Sequence, residues 1–144
     1  MSSVLLFGSP NSDFARTTFL GRSYPDRNDA EGNWISVEIE VVTPPFSGVF
    51  RSNWLAGSLS RFRNALEALY ATLEGEAVFG PDYERSLVIH LRGDGRGHIS
   101  VSGEACADRG IGPWLRFELP SIDQTFLPQM ISELGELESE YPVR

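Results

Sequence analysis

The sequence predicts an α+β fold: a mainly antiparallel, curved sheet of about eight strands with two helices, in the order ββββαββββα. Three observations carry this. Residues 33–43 alternate, with Ile35, Val37, Ile39 and Val41 on one side and Trp34, Ser36, Glu38 and Glu40 on the other. A period of two with β-branched residues marks a strand half-buried on a core, and its length places it centrally in a sheet. Residues 59–73 and 127–137 carry apolar residues at helical spacing instead. Finally, the strands come in runs punctuated by these helices, the arrangement of α+β rather than of parallel α/β proteins. A chain of 144 residues suits one domain over 1–144, long enough to bury roughly two-thirds of its unfolded surface.

Taken in order, residues 3–7 read as a first strand and 8–13 as a turn. Residues 16–24 give a second strand, and the polar stretch 25–32 a loop into the long third strand. Pro44-Pro45 ends that strand, because proline offers no N–H to a ladder. Residues 46–51 form the fourth. Leu59, Phe62, Leu66, Leu69, Tyr70 and Leu73 then line one stripe of a helix, with Ser58 as N-cap, Gly75 as stop and an Arg63–Glu67 pair on the wet side. Residues 76–80 return to strand.

A hairpin follows, with Leu87, Ile89 and Leu91 inward on one arm and Ile99 and Val101 on the other. Opposing Leu91 to Ile99 centres an odd loop on Gly95 and keeps His98 out of the core. Residues 103–113 read as a loop, and 114–119 as the last strand with Leu115, Phe117 and Leu119 inward. The second helix starts near Asp123–Thr125 with Pro128 in its first turn, buries Leu127, Met130, Ile131, Leu134 and Leu137, and ends at Pro142.

Composition narrows the functional classes. Apolar residues at 41% and aromatics at 11% fit a globular core. A lone cysteine, Cys106, rules out an internal disulfide framework and fits a reducing compartment. The apolar run Val4–Phe7 is too short for a signal peptide or a membrane span, so a cytoplasmic location is expected. Twenty acidic residues face twelve cations, all arginine, for a net charge of −8. Direct nucleic-acid binding is disfavoured and no membrane contact is indicated, whereas a basic protein partner suits this charge. The same charge also serves solubility alone. Oligomeric state is not readable.

No cofactor and no catalytic residue is assigned. His90 and His98 fall on one outward face with Arg92 and Ser100, but no third metal ligand can be named. The glycines at 93, 95 and 97 lack the strand-to-helix context of a phosphate loop. Cys106 has no histidine that spacing places beside it, and no Gly-x-Ser-x-Gly elbow occurs. Glu38 and Glu40 share a face with Trp34, which would suit either a wet strand face or acid–base chemistry. The final helix is more telling. Glu133, Glu136 and Glu140 lie opposite its apolar stripe with Glu138 beside them, repelling one another and opposing the helix dipole. Such a ridge is either a tolerated solvated face or a docking surface for a basic partner.

Tyr24-Pro25, then Asn33-Trp34-Ile35, the helix end at Gly75 followed by Ala77–Phe79, the segment Asp123–Leu127 and the ending Glu140–Arg144 together resemble WapI-type bacterial immunity proteins over nearly the whole chain. The resemblance implies a cytoplasmic, non-catalytic antidote that binds the toxic C-terminal domain of a sibling-delivered toxin, a tRNA-directed nuclease in the namesake system. It carries over no contact residues. The contact surface expected from charge is Glu133, Glu136, Glu138 and Glu140, with Glu38, Glu40 and Trp34. The competing reading is a small-ligand-binding domain or enzyme using the sheet face, lined by Trp34, His90, Arg92 and His98.

Overall fold

In the computed structural model, which describes residues 3–81, 83 and 85–144, the eight strands divide between two antiparallel sheets of four. β1 (Ser3–Gly8), β2 (Phe14–Arg22), β3 (Trp34–Thr43) and β4 (Phe46–Leu55) pair in sequence order. β5 (Glu74–Phe79), β6 (Leu87–Asp94), β7 (His98–Cys106) and β8 (Trp114–Asp123) do the same. α1 (Gly57–Thr72) joins the two sheets, and α2 (Leu127–Glu140) follows the second. The protein is thus α+β in the order ββββαββββα. Two sheets replace one because α1 stands between β4 and β5, while β1 and β8 lie side by side without forming a ladder.

β3 holds an interior place, paired with β2 and β4, and buries Ile35, Val37, Ile39 and Val41. One apolar cluster takes in the inner faces of both sheets and the buried stripes of both helices. Phe79 of β5 ties it together, its ring 4.8 Å from that of Trp54 on β4, 5.2 Å from Phe62 on α1 and 6.4 Å from Phe7 on β1. The buried Trp54 indole N–H donates to the Ser86 hydroxyl at 3.0 Å, so the large ring brings no unpaired polar atom into the core.

Several boundaries differ from the sequence reading, each for a local reason. β4 continues beyond residue 51 to Leu55, because Trp54 pairs with Ile35 and is needed inside. Ala56, not Ser58, stands at the N-cap of α1, and Ser58 lies buried within the first turn. The helix ends on Leu73, which takes the left-handed conformation (φ 59°), ahead of Gly75. Tyr70 is exposed, as Leu69 fills the core-facing place in that turn.

The β6–β7 hairpin has the expected inward faces, but its register is shifted by two. Leu91 opposes Val101, and Ile99 opposes Gly93. The odd loop is Gly95–Gly97, with both glycines at positive φ (82° and 100°). Its geometry is set by the Asp94 carboxylate, which accepts the backbone N–H groups of Arg96 at 2.7 Å and His98 at 3.2 Å. β7 also runs on to Cys106 through residues 103–106, where the sequence suggested a loop. Gly103 is there for space: a Cβ would meet the Phe117 ring at 2.7 Å and Ile89 Cδ1 at 2.8 Å.

Candidate functional site

Asp123 accepts the backbone N–H of Thr125 at 2.7 Å and opens a single 3-10 turn, Gln124–Phe126, so α2 itself begins at Leu127, later than the sequence implies. Pro128 sits in its first turn, where a missing N–H costs nothing. Leu127, Met130, Leu134 and Leu137 are buried, each contributing about 1.5–3 kcal/mol by leaving water, and Ile131 is half-buried. The glutamates are thereby turned outward, but their surroundings differ. Glu138 reaches across to α1 and pairs with Arg63, which also holds Glu67 at 2.9 Å. The hydrogen bond that Arg63 donates to Glu138 is the main reason its guanidinium holds its proton more tightly than usual. Glu140 accepts the Ser3 hydroxyl. Glu133 has only the neutral Gln129 amide at 3.1 Å, and Glu136 is exposed with no partner among the described residues.

Trp34, Glu38 and Glu40 lie on the outer face of the first sheet, not on the helix ridge. Here cross-strand neighbours neutralise the carboxylates. Glu38 stands 3.7 Å from Arg51, and Glu40 pairs with Arg16. Trp34 is half-buried beside a small hollow shared with Ser23, Tyr24 and Asn53. The seven residues singled out by charge thus fall on two elements, and of the six glutamates Glu133, Glu136 and Glu140 have no cation beside them among the described residues.

The competing lining set does not converge. Trp34 belongs to the first sheet, while His90, Arg92 and His98 belong to the second. His90 opposes Ser102, and its Nδ1 contacts Glu76, which also lies 3.5 Å from Arg92. That histidine contact is the chief cause holding the Glu76 carboxyl below its ordinary value. His98 opposes Asp123, whose own depression comes first from the Thr125 hydroxyl. Among the described residues no three His, Cys, Asp or Glu side chains gather as a metal set. Cys106 is buried at the end of β7, at the edge of a hollow of about 300 Å³ beside Arg85, His90, Arg109 and Trp114.

A feature the sequence reading missed lies at the other end of α2. Between the neighbouring edges of β1 and β8 and the first turns of α2 runs an apolar groove of about 390 Å³. Leu91, Phe7 and Val101 are its most buried lining, and Met130, Phe126 and Glu133 border it too. Phe126, 54% exposed, is the signal that was available: an aromatic just ahead of the buried helix stripe and outside it.

Three of the segments that carry the family resemblance, those at Tyr24-Pro25, Asn33–Ile35 and Glu140–Arg144, meet in space. The Asn33 side chain accepts the Arg144 backbone N–H at 2.7 Å and donates to the Arg144 carbonyl at 3.1 Å. The Arg144 guanidinium donates to the carbonyls of Pro25 and Arg27 at 2.7 and 2.8 Å. Arg22 bonds the carbonyls of Gly32, at 2.6 Å, and Pro142, with Tyr141 beneath it. These residues form a clasp that fixes the loop before β3 against the chain's last residues.

Comparison with curated proteins gives no match. The family model of the immunity protein WapI-like family matches residues 6–142, nearly the whole chain. This chain belongs to the immunity protein WapI-like family.

Proposed function

We propose that this chain is a non-catalytic, cytoplasmic immunity protein that binds a cognate bacterial toxin domain and neutralises it by occupying a basic surface. Family membership supports the immunity role. The observation that carries the mode of binding is the pair Glu133 and Glu136, outward carboxylates without a compensating cation among the described residues, on a chain of net charge −8. A nuclease must present positive charge to hold phosphates. Carboxylates fixed on a rigid helix suit that surface, speeding encounter and rejecting wrong partners. The outer face of the first sheet, where Glu38 and Glu40 are neutralised, adds shape rather than net charge. Glu138 acts on stability through Arg63.

The test is co-expression with the C-terminal domain of the toxin encoded beside this chain's gene. Growth is restored, and the two proteins purify as a stoichiometric complex in which the toxin domain keeps its unmodified mass. Rescue accompanied by a chemically altered toxin would make the chain an enzyme. Absence of any complex would remove the immunity assignment.

A further inference from the structure

We infer that the groove between β1, β8 and the first turns of α2 is the anchoring point of the interface, and that it receives a bulky apolar side chain of the toxin domain flanked by arginine or lysine. This rests on the immunity reading above and specifies where on the chain the contact is centred. The glutamates sort themselves. Glu38, Glu40 and Glu138 are matched by Arg51, Arg16 and Arg63, while Glu140, met by the neutral Ser3 hydroxyl, lies outside the groove lining. Glu133 is met only by a neutral amide, and it lines the groove.

The groove is built into the topology. β1 and β8 are the edges of different sheets and form no ladder with each other. β8 bulges at Pro120–Ser121, where its pairing with β7 jumps from Ile122 to Leu119, and both bulged residues line the groove. Proline at that edge has no N–H to offer, so an added strand would meet a gap in its ladder there. The site therefore reads side chains rather than an extended backbone. Phe126, more than half exposed, gives the wall an aromatic of the kind that anchors interfaces.

Charge decides the occupant. A neutral apolar ligand would strip water from Glu133 and offer it nothing in return. A second copy placed symmetrically would bring the same carboxylates towards each other. An apolar side chain with a neighbouring cation fills the groove and pairs the carboxylate at once. Such central, desolvated contacts carry most of the energy of an interface.

The experiment measures the Kd of the full chain for that same neighbouring-gene toxin domain by calorimetry, with circular dichroism to check folding. F126D and E133R are expected to weaken binding by about 100-fold or more, while the E38Q/E40Q double variant changes it by less than about 3-fold. If the wild type binds and both groove variants bind equally well, the inference fails and the immunity reading stands. If the wild type does not bind, both fail. A dimer that F126D dissolves, or a small apolar molecule retained in native mass spectrometry, would give the groove to another occupant and overturn the inference.

Discussion

Thr17 shows how finely the core is filled. It is fully buried on β2 among the inward residues of the first sheet, and its hydroxyl finds no hydrogen-bond partner among the described residues. An unpaired buried hydroxyl costs about 1–3 kcal/mol in lost hydration. Replacing it by a methyl of the same shape removes that cost. Thr17→Val is expected to raise stability by about 1 kcal/mol, or roughly 2–4 °C in melting temperature, read by thermal denaturation. A lower melting point would mean that the hydroxyl is satisfied after all. At this scale the sequence was half legible. Alternation alone put Glu38 and Glu40 outward, and helical spacing did the same for Glu133 and Glu136. It could not supply the partners, because Arg63 is 75 residues from Glu138 and Arg16 is 24 from Glu40. Separating an unpaired carboxylate from one already neutralised requires the fold.

Among the elements, the β6–β7 hairpin marks the limit of pattern reading. Inward and outward faces follow from a period of two, and they are as the sequence implies. Register is another matter, since a shift of two keeps every face and changes every neighbour. Here the deciding atoms are the Asp94 carboxylate and two loop amides, whose preference spacing does not express. Gly93 and Gly103 likewise resemble turn residues in a one-dimensional reading but serve close approach. A Cβ on Gly93 would stand 2.3 Å from the Leu73 carbonyl oxygen. That oxygen is held by the Gly95 N–H at 2.8 Å, so it cannot easily retreat. Gly93→Ala should therefore cost about 2–3 kcal/mol, as overpacking does. This lowers the melting temperature by roughly 5–10 °C, and a shift within about 1 °C would show that α1 and β6 can part there.

For the whole molecule, the order ββββαββββα was legible because each strand and helix announces its period locally. The division into two sheets was not. Which edges close and which remain open depends on how α1 packs after β4, and strand faces alone carry no information on that. The groove between β1 and β8 is a product of this division, and Phe126, outside the helix stripe, is its trace in the sequence. The clasp of Asn33, Arg22 and Arg144 joins residues more than a hundred positions apart. It gives a structural reason for the short motifs at either end: they hold the last residues against the loop before β3, leaving α2 anchored with its glutamates outward.

The proposed mode of binding has Glu133 and Glu136 of α2 draw this chain onto a basic toxin domain. Its most direct test is the association rate measured by stopped flow over a range of salt concentrations, for the wild type and for the Glu133→Gln/Glu136→Gln double variant. The wild-type rate is expected to fall steeply as salt rises, and the double variant to associate about 10-fold more slowly at low salt with a flatter dependence. Coincident curves for the two proteins would contradict it.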